Sequence, residues 1–579
     1  MFIVVILDDM PPKSKENVRE LLQNRASATP EKTFLFSEID GREWTYAEFD
    51  RAVNRTANLL LANGISKGDV VSLLLPNSPE YIIAYFACWK IGALAGPVNS
   101  LLKKEEIQWV VENSEAKLML VGTEYESSVG SDDSVQPPSG SEPNSAAPTP
   151  LGQHRSVPPA LAGGAALDTE STSRAVDSRP DLSRAAGTGD SERCRRLLFD
   201  AAAVVDHYPD TLDPVDLNPE DEAIIIYTSG TTGKPKGCLL THGNLIANAR
   251  QITDWMGFGP DDRLLTVMPL FHMNAVSVTT MTALYAGGST VVSPKFSASR
   301  FWDIIEKYQI TSFGSVATML SMLLSNQQSS ISVLQENRTS TIQNPKYESL
   351  RFAMCGSAPV PAEVLKKFEK TFGVLVIEGY GLSESTCRST FNPPDESRRP
   401  GSCGKPIGNE MKVFDENDVE VPTGELGEIV LRGPNIFKGY FKNPEATAKA
   451  FANGWFHTGD VGYRDEDGFF YIADRKSDMI IRGGENIYPR EIDDLLYTHP
   501  AVAHAAVIGV PDELYGEEVA AFVVLKSGAG IAEEELIAFC QQHLADYKCP
   551  KTVYFVDDIP KGPTGKLLKR ELAKMHQPP

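Results

Sequence analysis

Residues 69–75 (DVVSLLL) and 222–227 (EAIIIY) are short, almost uninterrupted apolar runs, the pattern of strands covered on both faces. Between and after them, residues 80–91, 103–111 and 243–255 carry apolar positions at helical spacing, and residues 117–121 form another short strand. This strand–helix rhythm predicts an α/β fold: a large N-terminal region built on mostly parallel sheets flanked by helices. The last hundred residues differ. A helical pattern over 489–498, strands over 503–508 and 518–525, and a helix over 533–544 predict a small α+β unit, joined to the body through the polar stretch 474–478.

One segment breaks the pattern. Of the 66 residues in 127–192, 37 are Ser, Pro, Gly or Ala and none is Phe, Tyr or Trp, so it has little to bury and reads as a disordered insertion. A docking or regulatory role for it is the alternative to an inert insertion.

Charge narrows the function. Among 579 residues, 55 are Lys or Arg and 77 are Asp or Glu, a net charge of −22. A nucleic-acid or membrane-surface binder would need a basic face, so neither is expected. Any anionic ligand must be held by local donors. Eight cysteines without a CxxC pair and nine histidines without an HxxxH pair give neither a disulfide scaffold nor a zinc site. The apolar run 2–7 is closed by Asp8 and Asp9 and lacks the basic start of a signal peptide. No uncharged stretch reaches the length of a membrane helix. A cytoplasmic location is expected, and assembly into a homo-oligomer is left open.

The local donors stand at residues 227–237, YTSGTTGKPKG. Thr228, Ser229, Thr231 and Thr232 offer hydroxyls, Gly230 and Gly233 let backbone N–H groups approach an anion, and Lys234 adds a charge. It is not the P-loop of kinases and GTPases, which has four residues between its glycines and Ser or Thr after the Lys; here Pro235 follows Lys234.

This string closely resembles the signature of the adenylate-forming superfamily, which holds acyl-CoA synthetases, luciferases and the adenylation domains of peptide synthetases. Further motifs follow in order over nearly the whole chain outside the insertion. Gly356, Ser357 and Ala358 resemble the loop that meets adenine through its backbone. Residues 378–384, EGYGLSE, resemble a second motif. There the resemblance implies nucleotide contacts from Glu378, Gly379, Tyr380 and Gly381, with Tyr380 stacking on adenine, and Glu384 as a Mg²⁺ contact; Ser383 stands where Thr is usual. A carboxylate beside a triphosphate needs an intervening cation.

Residues 455–460, WFHTGD, match the ribose motif, with Asp460 accepting from ribose hydroxyls and Arg475 as its partner on the ribose or phosphate side. By resemblance, residues 475–478 form a hinge between an N-terminal AMP-binding domain (1–474) and a mobile C-terminal domain (479–579), with Ser477 replacing the more usual Asp or Lys. Gly483 and Gly484 would let the pantetheine arm of CoA pass close to the backbone, and Lys566, in PKGPTGK, matches the mobile catalytic lysine.

Peptide-synthetase domains carry an Asp just after Phe271, where this chain has His272, so an α-amino acid substrate is not expected. His272 is either a gate of the acyl pocket or a packing residue. The small apolar run 273–284 suits an aliphatic or aromatic acyl group, or ordinary core. Residues 295–302 resemble the carnitine/crotonobetaine-CoA ligase branch.

The resemblance thus implies an acid–thiol ligase using ATP, Mg²⁺ and CoA, with Lys566, Thr228, Glu384 and His272 in catalysis and a small carboxylic acid as substrate. The alternatives are an acyl-AMP ligase that loads a carrier protein and a nucleotide-binding scaffold without activity. A luciferase-like oxygenase has no support.

Overall fold

The computed structural model describes residues 16–129, 194–199, 205–228, 235–334, 348–356, 362–561 and 568–575. The expected insertion lies outside them, except that its first residues close a short helix, Glu126–Val129, whose Val129 is buried.

Two sheets with parallel centres form the large region. In the first, Glu222–Thr228, Leu94–Pro97, Val70–Leu74, Leu118–Val121 and Arg195–Leu198 run parallel in that order. Antiparallel Lys236–Thr241 and Gly439–Tyr440 continue it beyond Glu222–Thr228. All five residues of Val70–Leu74 are buried, which is why that strand reads as one apolar run rather than an alternation. The helix Pro79–Lys90 buries eleven of its twelve residues. Its start is set by Ser78, whose hydroxyl accepts from the Tyr81 N–H at 3.2 Å, and by Pro79, whose missing N–H costs nothing in a first turn.

The second sheet has nine strands. Its six central ones, Leu375–Tyr380, Phe352–Cys355, Ser312–Ser315, Arg263–Thr266, Ser289–Val292 and Thr33–Ser37, are parallel. The run expected to line an acyl pocket is a π-helix, Asn274–Met281, buried at every position and continued by the α-helix Thr282–Ala286.

A third, antiparallel sheet of four strands, Glu410–Phe414, Gly427–Arg432, Phe456–Arg464 and Phe470–Arg475, ends the large region. Asp474, expected in the polar joint, is instead a buried strand residue. Beyond it, strands Ile480–Arg482, Glu485–Ile487, Val502–Asp512, Gly516–Leu525 and Thr552–Phe555 form one sheet with helices Pro489–Thr498 and Glu533–Gln541. Ile480, Ile492, Leu496, Val507, Val519 and Leu536 form a core of that unit's own residues.

Candidate active site

In parallel sheets, ligands bind beyond the carboxyl ends of the strands. Here two adjacent strands, Phe352–Cys355 and Leu375–Tyr380, end at Gly356 and at Tyr380–Gly381. The glycines are packing requirements. A Cβ on Gly379 would lie 2.4 Å from the Phe391 ring, and one on Gly381 2.0 Å from the Cys387 carbonyl oxygen. The turn after the strand can therefore lie flat against the segment Cys387–Phe391. Ser357 and Ala358 lie outside the described residues.

Asp460 is the electrostatic centre of this end. It sits in the strand Phe456–Arg464, directly across the ladder from Arg475. Arg475 Nε lies 3.0 Å from its Oδ1, and the Tyr380 hydroxyl donates to its Oδ2 at 2.5 Å. Asp460 is 3% exposed, so both contacts act in a low-dielectric setting. Burial and the Asp460 charge push the Tyr380 phenol far up, so it stays a donor at any working pH. The hydroxyl anchors the ring and thereby fixes the orientation of its faces.

Glu384 occupies a single 3₁₀ turn, Ser383–Ser385, three residues past Gly381. Its Oε1 accepts from the Tyr440 hydroxyl at 3.0 Å, and its backbone carbonyl accepts from the Phe437 N–H at 2.8 Å. Burial raises the carboxyl above the ordinary range. Tyr440 belongs to no motif read from the sequence, yet it joins two of them. It pairs with Cys238 across the first sheet, and Lys236 Nζ lies 5.1 Å from its ring centre. Thr228 and Lys236 are ladder partners, so they close the neck of the Gly/Thr loop beside Tyr440. Ser229, Gly230, Thr231, Thr232, Gly233 and Lys234 lie outside the described residues.

A cavity of about 350 Å³ opens at these strand ends. The large region lines it with Gly356, Glu378, Tyr380, Asp460 and Arg475; the small unit contributes Arg490, Asp493, His504 and Lys569. Asp474 ties the two sides, its Oδ1 accepting from the Arg475 N–H at 2.7 Å and its Oδ2 from the Arg490 N–H at 2.9 Å. Lys569 Nζ lies 3.0 Å from Asp493 Oδ2. Burial pushes the Glu378 carboxyl up to about 7, although the Gly401 N–H donates to it at 3.0 Å.

Other expected residues lie elsewhere. Gly483 and Gly484 form the two-residue turn between Ile480–Arg482 and Glu485–Ile487, with φ of 59° and 92°, and do not line the cavity. Two positive φ values in a hairpin turn call for glycine on their own account. Ser477 is exposed, its hydroxyl 3.0 Å from Asp478 Oδ1. His272 sits just before the π-helix, its ring packed on Phe271 and its Nε2 buried without a partner among the described residues; burial lowers its pKa to about 4, so the ring is neutral. Lys566 lies outside the described residues. Among the described residues no cluster of three His, Cys, Asp or Glu could cage a metal, and no helix is long and apolar enough to cross a membrane.

A cavity at parallel strand ends, lined also by a smaller α+β unit, is an arrangement compatible with an adenylate-forming ligase. The family model of the AMP-binding enzyme matches residues 22–441, and that of the AMP-binding enzyme C-terminal domain matches 491–566; the chain belongs to this family. It is 33% identical to oxalate–CoA ligase of Arabidopsis thaliana, over 96% of this chain and 97% of that protein. It is also 33% identical to crotonobetaine/carnitine–CoA ligase of Citrobacter koseri, over 96% and 99%. The crystal structure of ATP-bound MatB from Rhodopseudomonas palustris is similar, with a TM-score of 0.78 and 28% identity over 97% of this chain and 99% of that one. The chain is thus an acid–thiol ligase. With ATP it activates a carboxylic acid to acyl-AMP, releasing pyrophosphate, and then transfers the acyl group to CoA in a Mg²⁺-dependent reaction.

Proposed function

We propose that the Tyr380–Asp460–Arg475 constellation is the nucleoside end of the ATP site and that the loop closed by Thr228 and Lys236 is its phosphate end. The observation that carries this is the buried Asp460, held at both oxygens at the mouth of the parallel strands. A carboxylate fixed this way accepts from ribose hydroxyls without reorganising, while the tethered Tyr380 ring offers a face to the base. Thr228, with Ser229 to Lys234, supplies hydroxyl, backbone and ammonium donors to the phosphates.

Glu384 fits as the Mg²⁺ contact. Its half-buried carboxyl has the Tyr440 hydroxyl as donor and, among the described residues, no Lys or Arg ion pair, which leaves negative charge for a hard cation. Glu384 would hold the ion, which when bound would neutralise phosphate charge. Lys566 stabilises charge at the carboxylate and α-phosphate during adenylation. Residues 475–478 are the hinge between domains 1–474 and 479–579, about which Lys566 leaves and Gly483 and Gly484 meet the pantetheine arm. His272 is a neutral residue at the acyl side. Eight free cysteines support a reducing, cytoplasmic setting.

The test is pyrophosphate release with ATP and Mg²⁺ over a panel of carboxylic acids, with and without CoA. Release sustained only with CoA is expected. CoA-independent turnover would move the acceptor to a carrier protein, and no release from any acid would leave only a nucleotide-binding scaffold.

A further inference from the structure

Beyond Glu384 the chain turns inward, and there it buries a cation. Arg388 is 1% exposed, yet among the described residues its Nε and Nη2 have no hydrogen-bond partner and no carboxylate pairs with it. Its backbone is clamped: its N–H donates to Asn248 Oδ1 at 3.3 Å, and its carbonyl accepts from Asn248 Nδ2 at 2.7 Å and Asn435 Nδ2 at 3.2 Å. Asn248 is held in turn by the Ser277 hydroxyl, from the π-helix, at 2.9 Å. The side chain lies 5.5 Å from the Phe391 ring centre and against Gly356, where an added Cβ would fall 2.7 Å from Cζ, Nη1 and Nη2. Gly356 lines the cavity that also holds Tyr380 and Asp460.

A guanidinium cannot shed its proton to escape burial, and a buried unpaired charge is among the costliest things a fold can hold. Proteins bury arginine when it is paired, so the missing partner is an anion that arrives with a ligand. The nucleotide phosphates are the first candidate, but Tyr440, Glu384 and Lys236 mark that end through contacts to one another, whereas the hydrogen bonds of Arg388 run to Asn248 and Asn435. The reacting carboxylate is the second, but it loses its charge on becoming an anhydride, which would strand Arg388 midway through the reaction. A second anionic group on the acid keeps its charge throughout.

Resting on the ligase reading above, we infer that Arg388 is a specificity-determining residue pairing with the non-reacting anionic group, a carboxylate or a sulfonate, of a substrate that carries two. An acid with a cationic tail is repelled there, and one with a neutral tail leaves the guanidinium unpaired.

The experiment measures kcat/KM for pyrophosphate release with acids of matched length bearing a second carboxylate, a sulfonate, a methyl ester or a trimethylammonium group. It uses the full-length enzyme and its Arg388→Met and Arg388→Lys variants. The wild type should favour the better anionic tail over the ester by about a hundredfold, within the range seen when one partner of a buried charge pair is removed. Arg388→Met should erase that ratio, with the loss concentrated in KM for the acid, and Arg388→Lys should retain part of it. Comparing the carboxylate and sulfonate arms identifies the anion. A wild type that favours the ester or the trimethylammonium acid overturns the inference while keeping the ligase. So does a variant whose losses are equal across acids or fall on KM for ATP. Should Arg388→Met not fold, the wild-type preference and Arg388→Lys decide it. No release from any acid would overturn both readings.

Discussion

Glu378→Gln changes one charge in the cleft wall and leaves the shape. Glu378 is 7% exposed and its carboxyl titrates near 7 instead of near 4.5, because burial disfavours the anion more than the Gly401 N–H, Arg490 and Arg398 favour it. Its folded pKa is therefore above its unfolded value. Below pH 4.5 both states hold the proton and the group costs nothing. As pH rises, the unfolded chain ionises freely while the folded one keeps its proton, so stability is lost progressively until the folded carboxyl itself titrates. At about 1.4 kcal/mol per pH unit, the interval between the two values amounts to about 3 kcal/mol. That loss is reached near pH 7 and is constant above it.

Glutamine accepts from the Gly401 N–H as well and never ionises. The variant should thus gain less than about 1 kcal/mol at pH 5 and about 3 kcal/mol at pH 7 to 8. In a cooperative unit of about 400 residues each kcal/mol is worth about 1 °C, so the difference in thermal midpoint should grow to about 3 °C across that interval. The measurement is the midpoint of variant and wild type at one scan rate, from pH 5 to 8, without ligands. The slope of the difference against pH is the readout, since any packing change from the new amide adds a constant. A flat difference, or one that shrinks as pH rises, refutes the reasoning.

Other outcomes follow from the same geometry. Asp460→Asn removes the charge from two short contacts, each worth about 1.5–3 kcal/mol; KM for ATP in pyrophosphate release should rise about ten- to a hundredfold, and an unchanged KM would take Asp460 out of the site. Tyr440→Phe deletes the donor to Glu384, and the Mg²⁺ needed for half-maximal rate should rise about tenfold, measured at saturating ATP. Lys566→Ala should abolish acyl-AMP formation yet largely spare thioester formation from supplied acyl-AMP; equal loss of both half-reactions would reject its assignment.

The strands covered on both faces were legible because burial from two sides writes itself as a continuous apolar run. Val70–Leu74 and the helix Pro79–Lys90 fall within a residue of their predicted ends. The Asp460–Arg475 partnership came from the family resemblance and not from any local pattern; in the fold the two face each other directly across the ladder. The antiparallel sheet from Glu410–Phe414 to Phe470–Arg475 was not read as a sheet. Its strands have mixed burial patterns, with neither a clean alternation nor a continuous apolar run to mark them. The π-helix Asn274–Met281 is buried all round, so it presents no amphipathic period to detect.

Tyr440 and Arg388 show a different blindness. Tyr440 reaches Glu384 from 56 residues away, through strand pairing that no local pattern encodes. Arg388 stands in the run Thr386–Cys387–Arg388–Ser389–Thr390, whose composition reads as a solvated loop. What buries it is Asn248 and Asn435, 140 and 47 residues distant, each replacing water at its backbone. Once that backbone is satisfied from both sides, the side chain has no route to the surface, and its charge must be met within the protein. On the site proposed above, the motifs mark where the shared chemistry happens, and the choice among acids falls to residues such as Arg388 whose meaning comes only from what packs around them.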